Sequence, residues 1–261
     1  MTGAGSAVAD HHPGRLAFER PTFGTARRPP PLSATEVHLW HAALDRNDWA
    51  GEGMLSVLEP RERLRADRIR VPERRSRYIA ARVVLRRLLG LYTGLPADAV
   101  RFAYGVRGKP RLEDPGLAAG LQFNATDAGT LLLVAVTAGA EVGIDLEIAN
   151  REVRHDSLIR RYFAPLDQRC LYDVPDDRRR LAFLACWTRK EAYGKAEGVG
   201  IHYPLGGLAS CARMDCARIW LPSLNPIISR RWRLVQLTTP ANGVAAVVVD
   251  GLEPELVCHC W

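Results

Sequence analysis

The chain runs through one pattern twice, and that repetition limits its possible folds more than any other feature. A helix from Arg74 to Leu89 stops at Gly90 and Gly94. A short strand follows at Phe102 to Tyr104, then a loop, then apolar strands at Thr130 to Thr137 and Val142 to Glu147. The second pass has a helix from Arg178 to Glu197, a stop at Gly198 and Gly200, and strands near Leu208 to Cys211, Arg231 to Thr238 and Val244 to Val249. The interval is about 110 residues, the spacing of an internal duplication. At 261 residues the chain accommodates two such units. A ligand pocket is expected between them.

Periodicity supports the elements. Ile79, Ala80, Val83, Val84 and Leu88 form one apolar stripe, which predicts that the arginines of that helix lie on the other side. Leu58-Glu59-Pro60 opens a preceding helix that continues from Arg61 to Arg70, and Glu36 to His41 reads as the first strand. A strand at Gln122 to Asn124 is predicted to end in the turn Asn-Ala-Thr-Asp-Ala-Gly, and Val142 to Glu147 to pair back on Thr130 to Thr137. Helical segments are predicted at Asp156 to Tyr162 and Leu166 to Leu171. Residues 1–33, rich in Gly, Ala, Ser and Pro and closing on Pro29-Pro30-Pro31, read as a disordered tail.

The net charge of +7 and pI near 9.3 call for an anionic partner without choosing one. No apolar run of about 18 residues exists, so no membrane span is expected. Met1 to Asp10 is apolar but short and lacks a basic leader, so no signal peptide is expected either. The six cysteines form no C-x-x-C pair, and they read as free thiols of a cytoplasmic protein.

Arginine has displaced lysine except at Lys109, Lys190 and Lys195. Lysine is a compact point charge and arginine a planar fork, so the survivors mark places where a point charge is used. Asp145 and Glu147 stand two apart on a strand and project from one face. Either a divalent cation with oxygen ligands offsets their repulsion, or they sit at a solvated strand end. On the second long helix, Trp187, Glu191 and Lys195 share a stripe, with Lys190 on its flank. A carboxylate beside two lysines suits a metal and a phosphate held together. A metal-dependent phosphohydrolase would use the same groups. A nucleic-acid binder would interleave basic residues with exposed aromatics, whereas Phe123, Tyr162, Phe163 and Trp187 lie inside apolar runs.

Gly143-Ile144-Asp145-Leu146-Glu147, then Trp187-Thr188-Arg189-Lys190-Glu191-Ala192 with Lys195, Gly198 and Gly200, resembles the signature of the 4'-phosphopantetheinyl transferases. The likeness is to the large single-chain class that activates peptide and polyketide synthases, and it runs from Val37 to Val249. Gly108-Lys109-Pro110 resembles the family's G-K-P loop. Phe123-Asn124 falls at its Phe-Asn-x-Ser-His segment, and Arg161-Tyr162-Phe163-Ala164, followed by Asp167, resembles its Arg-Phe-Phe-Ser turn.

The resemblance implies an α+β fold of two similar α/β subdomains, 34–140 and 141–261. A pseudo-twofold would relate them, each a small antiparallel sheet packed on a long helix. It implies transfer of the phosphopantetheine arm of coenzyme A to a serine of an apo acyl or peptidyl carrier protein, with release of 3',5'-ADP. Asp145, Glu147 and Glu191 would hold Mg²⁺, with Mn²⁺ also suited to oxygen ligands. Glu191, or a metal-bound water beside it, would be the base, and Lys195 would meet the leaving charge. Lys190 would contact the pyrophosphate, Lys109 and Pro110 would line the adenine pocket, and Arg65, Arg77, Asn124 and Thr126 would complete the coenzyme site. Arginines between Arg61 and Arg87 would steer an acidic carrier protein. The expected state is a monomer with neither nucleic acid nor membrane as partner. A coenzyme-binding homologue without turnover is the alternative, because Thr126-Asp127 stands where the family has Ser-His. Asp127 would repel the 3'-phosphate and weaken discrimination against the dephospho form.

Overall fold

The computed structural model describes residues 31–45, 53–148, 155–199, 209–210, 219–220, 232–239, 243–251 and 255–261. Most of the expected tail and Gly200 lie outside these residues. The described elements are β1 (Glu36–Ala43), α1 (Gly53–Val57), α2 (Pro60–Asp67), α3 (Pro72–Thr93), β2 (Phe102–Tyr104), β3 (Pro110–Leu112), α4 (Pro115–Gly120), β4 (Gln122–Ala128), β5 (Leu131–Thr137), β6 (Val142–Ile148), α5 (His155–Tyr162), α6 (Pro165–Tyr172), α7 (Asp176–Ala196), β7 (Ala209–Ser210), β8 (Ile219–Trp220), β9 (Trp232–Thr239), β10 (Gly243–Asp250) and β11 (Glu255–Cys260).

Local chemistry sets the boundaries of the helices. Pro60 and Pro72 occupy first-turn positions, where a missing N–H costs nothing. Glu62 caps α2 by accepting from the Glu59 backbone N–H at 3.0 Å. Gly94 ends α3 in the left-handed conformation, with φ of 73° and its N–H on the Gly90 carbonyl.

Two sheets carry the fold, one in the order β11-β1-β5-β4 and the other β6-β10-β9. The first packs on α3 through Trp40, Phe123, Leu132 and Val134 against Ala80, Val84, Leu85 and Leu88. The second packs on α7, where Tyr193, Ala192 and Ala196 meet Trp232, Leu234, Ala246 and Val248. A third core joins the sheets, with Leu39, Leu133 and Ala135 on one side and Val142, Ile144, Leu146 and Val247 on the other. The α+β class therefore matches the expectation.

Four sequence expectations need correction. β6 does not pair back on β5, because β1 and β4 already take both edges of β5; it pairs with β10 instead. Residues 124–128 are strand, not turn, since β4 stays in register with β5 to Ala128 and the reversal falls at Gly129. The first sheet is mixed, because β11, a strand the sequence reading missed, runs parallel to β1. It comes from the second half of the chain, so a boundary at 140/141 divides residues that share a sheet. Arg86 is not on the solvent side of α3. It is fully buried, binding Glu62 at 2.6 Å and Glu59 at 2.7 Å.

Candidate active site

The site forms where β6 meets both α7 and β4. Alternation along β6 sends Val142, Ile144 and Leu146 into the core between the sheets. Gly143, Asp145 and Glu147 face α7 instead. Gly143 matters sterically: a Cβ there would lie 2.0 Å from the Ala192 carbonyl oxygen and 2.4 Å from the Ala196 nitrogen. Only the absent side chain lets the helix backbone settle on the strand. On the other flank the Asn124 side-chain oxygen Oδ1 accepts the Ile144 N–H at 3.0 Å, joining the edge strands β4 and β6.

That approach brings Lys195 onto Asp145. The ammonium donates to Asp145 Oδ1 at 2.7 Å and to the Ile144 carbonyl at 3.0 Å. Thr126 Oγ1 makes a longer contact with the same Asp145 oxygen, at 3.4 Å. Asp145 Oδ2 and Glu191 Oε1 are buried without a hydrogen-bond partner. Burial pushes the Glu191 carboxyl up to about 7, the Asp145 and Glu147 charges push the same way, and Lys195 opposes them. Buried carboxylate oxygens without donors are costly unless a cation or proton reaches them.

Among the described residues no three His, Cys, Asp or Glu side chains form a preformed metal cage. The donor set still fits a hard cation. Mg²⁺ takes one or two carboxylates and fills its remaining positions with water and phosphate oxygens.

A cavity of about 200 Å³ runs from Lys195 and Gly194 past Lys109, Pro110 and Asn124. It shares Gly108, Pro110, Asn124 and Ala125 with a larger cavity of about 820 Å³. Arg61, Arg65, Arg68 and Arg82 line the larger one together with Tyr78 and Tyr104. Arg61 and Arg65 cover the Tyr104 and Tyr78 rings at 4.2 and 5.5 Å. The α2 spacing explains the display. Arg61, Arg65 and Arg68 follow i, i+4, i+7 onto one face, while Glu62, on the flank of that face, is buried against Arg82 and Arg86 at the cavity wall.

The structure redistributes several expected site residues. Pro110, Asn124, Thr126 and Arg65 line the cavities. Lys190 does not reach the site. It is fully buried and pairs with Asp167 at 2.8 Å, because a residue about 100° from Glu191 points into the helix packing. Arg77 is also turned away, donating to the Gly129 carbonyl at 2.7 Å. Lys109 borders the narrow cavity, but its ammonium is held by Glu141 at 2.6 Å and by the Ala196 carbonyl at 2.9 Å. All three lysines thus end on carboxylates. Arg61, Arg68 and Arg82 were missed as lining residues, although the i, i+4, i+7 spacing on α2 carried the signal. Trp187 stacks on Phe163 and Phe183 and anchors the helix.

A family model described as the 4'-phosphopantetheinyl transferase superfamily matches residues 141–249. The chain is also 36% identical over 229 residues to the 4'-phosphopantetheinyl transferase HetI of Nostoc sp., covering 86% of this chain and 92% of that protein. The chain belongs to the 4'-phosphopantetheinyl transferase superfamily. The transferase is 32% identical to the putative 4'-phosphopantetheinyl transferase slr0495 of Synechocystis sp., over 60% of this chain and 62% of that one. It is 25% identical to the 4'-phosphopantetheinyl transferase Sfp of Bacillus subtilis, over 63% and 70%. This membership favours the transferase reading. The matched segment carries both β6 and α7, the two elements that meet at Asp145 and Lys195.

Proposed function

We propose that this transferase moves the 4'-phosphopantetheine arm of coenzyme A onto a serine hydroxyl of an apo acyl or peptidyl carrier protein, with Mg²⁺ as cofactor. The observation that carries the reading is the pair of buried, donor-free oxygens on Asp145 and Glu191 beside Lys195, at the end of a narrow cavity that opens into an arginine-lined one.

The length and chemistry of the joined cavities suit the nucleotide end of coenzyme A. Arg61, Arg65 and Arg68 would meet the 3'-phosphate, and Tyr78 and Tyr104 offer aromatic faces near the base. Asp145, Glu147 and Glu191 would hold the cation, whose chemistry is to neutralise diphosphate oxygens and raise the electrophilicity of phosphorus. Mn²⁺ suits the same oxygens.

The serine oxygen bonds to the phosphorus that carries the pantetheine arm. The bridging P–O bond breaks, and 3',5'-ADP leaves with the electron pair. The serine proton passes to Glu191, or to a water that Glu191 holds, which requires the ionised carboxylate. Lys195 places positive charge beside the departing oxygen. Asn124 acts earlier, by fixing β4 against β6 so that cavity and carboxylates keep their spacing.

The basic arginine face of α2 and α3 suits an acidic carrier protein. Similar sheet-on-helix units support a pseudo-twofold between the halves, with β11 returning across the boundary. Cys170, Cys186, Cys258 and Cys260 form no disulfide, which suits a reducing cytoplasm.

The test is to incubate the protein with apo carrier protein, coenzyme A and Mg²⁺ and to weigh the carrier. A gain of one phosphopantetheine, lost in Asp145→Ala and Glu191→Ala, is expected. An unchanged carrier mass alongside hydrolysed coenzyme A would refute transfer.

A further inference from the structure

The G-K-P loop holds a lysine that borders the narrow cavity but whose ammonium is taken up by Glu141 and the Ala196 carbonyl. We propose that Lys109 is an internal strut, and that Lys109 and Glu141 are positioning residues for the transfer reaction. The inference rests on the transfer reading above but concerns the scaffold behind it.

Lys109 ties together three elements. Its loop closes on itself, with the Gly105 N–H on the Lys109 carbonyl at 3.0 Å and the Gly108 N–H on the Gly105 carbonyl at 2.8 Å. Gly108, at φ of 85°, supplies the left-handed residue that closure needs. This loop walls the cavities through Gly108 and Pro110. From it, the ammonium reaches the carbonyl of Ala196, the last residue of α7, at 2.9 Å. A helix C-terminal carbonyl lacks an intrahelical donor and carries the negative end of the dipole, so a cation is favoured there. Ala196 directly follows Lys195.

The same ammonium binds Glu141 at 2.6 Å. Glu141 precedes β6, and its own carbonyl accepts the Asp250 N–H at 2.9 Å, which fixes it to the end of β10. One point charge therefore joins the nucleotide loop to both elements that carry Lys195 and Asp145. Lysine suits the task because its three donors radiate from one atom. The side chain is 15% exposed and borders both the 200 Å³ cavity and a separate one of about 430 Å³, so it partitions them.

Two variants, Lys109→Met and Glu141→Gln, test the strut against a ligand-contact role. Loosening the strut is expected to lower kcat about tenfold in Lys109→Met and severalfold in Glu141→Gln, with KM for coenzyme A changed less than about twofold. The double variant should be no worse than Lys109→Met alone, since both changes cut one connection. Amide hydrogen exchange of ligand-free protein supplies a readout that transfer does not enter. Exchange in residues 105–109 is expected to accelerate in both variants.

A raised KM at unchanged kcat in Lys109→Met, with Glu141→Gln silent, would overturn the strut. So would multiplicative losses in the double variant or unaltered loop exchange. If the unmodified protein transfers nothing, the transfer reading fails, and exchange still judges the strut. Should Lys109→Met not fold, Glu141→Gln carries both readouts, because its side chain is 43% exposed.

Discussion

Replacing Gly143 by alanine tests the geometry on which the site depends. The added Cβ would stand 2.0 Å from the Ala192 oxygen, where ordinary contact begins at 3.4 Å, so the shortfall is about 1.4 Å. Both obstructing atoms, the Ala192 oxygen and the Ala196 nitrogen, are backbone, so no rotamer change relieves the clash. Helix α7 must back away from β6 by about 1 Å. The Lys195–Asp145 contact, now 2.7 Å, then stretches past about 3.5 Å and ceases to be a hydrogen bond. Overpacking of this kind costs about 1–3 kcal/mol of stability. A misplacement of about 1 Å at a reacting centre costs on the order of 10²-fold in rate. The expected result is folded protein with a lowered melting temperature and transfer reduced about a hundredfold, read by carrier-protein mass against time. Gly120→Ala is the control, because a Cβ there meets nothing within 4 Å. Gly143→Ala with more than half the normal rate would refute the argument that strand–helix contact sets the site.

Lys190→Ala should act on stability instead, since it strips a fully buried Asp167 of its cation; about 3–5 kcal/mol is expected by urea denaturation, with KM for coenzyme A little changed. A raised KM without destabilisation would restore Lys190 to the pyrophosphate. Glu191, with its carboxyl near 7, must shed a proton to bind a cation, so Mn²⁺ affinity by calorimetry should fall about tenfold per pH unit below 7 and level off above it; a flat profile from pH 6 to 8 contradicts this. With no cation bound, the same raised carboxyl favours the folded state below about pH 4.5, and that contribution is lost as pH rises through about 7. Asp127 is exposed on the arginine-lined cavity, so Asp127→Asn should raise the preference for coenzyme A over its 3'-dephospho form about two- to fivefold; an unchanged preference would absolve Asp127.

Elements with strong local signals were legible in the sequence. The helix read from Arg74 to Leu89 lies within α3, which runs on to Thr93 before Gly94 ends it, and the apolar stripe from Ile79 to Leu88 fixes its inner face. The alternation of Asp145 and Glu147, and the stripe of Glu191 and Lys195, placed these groups on two faces that do meet across β6 and α7. Pairing was not legible. β6 next to β10, and β11 next to β1, depend on which strand edges remain open after the chain has folded around them. The fates of the lysines were half legible. Their rarity marked them, but only packing shows that Lys190 turns inward to Asp167 and Lys109 to Glu141. Arg86 broke the rule that arginines lie outside, because Glu62 on α2 and Glu59 at its N-cap meet it with two carboxylates.

The parallel pairing of β1 with β11 has a bearing on biogenesis. His41 and Cys260 touch across 219 positions of sequence. β1 can pair with β5 early, but its other edge stays open until the distant segment that covers it has been made and has folded back. Contacts so distant form slowly, and an uncovered apolar edge invites pairing with the wrong chain. The first sheet is therefore complete only once a strand from the far half of the chain has closed the open side of β1.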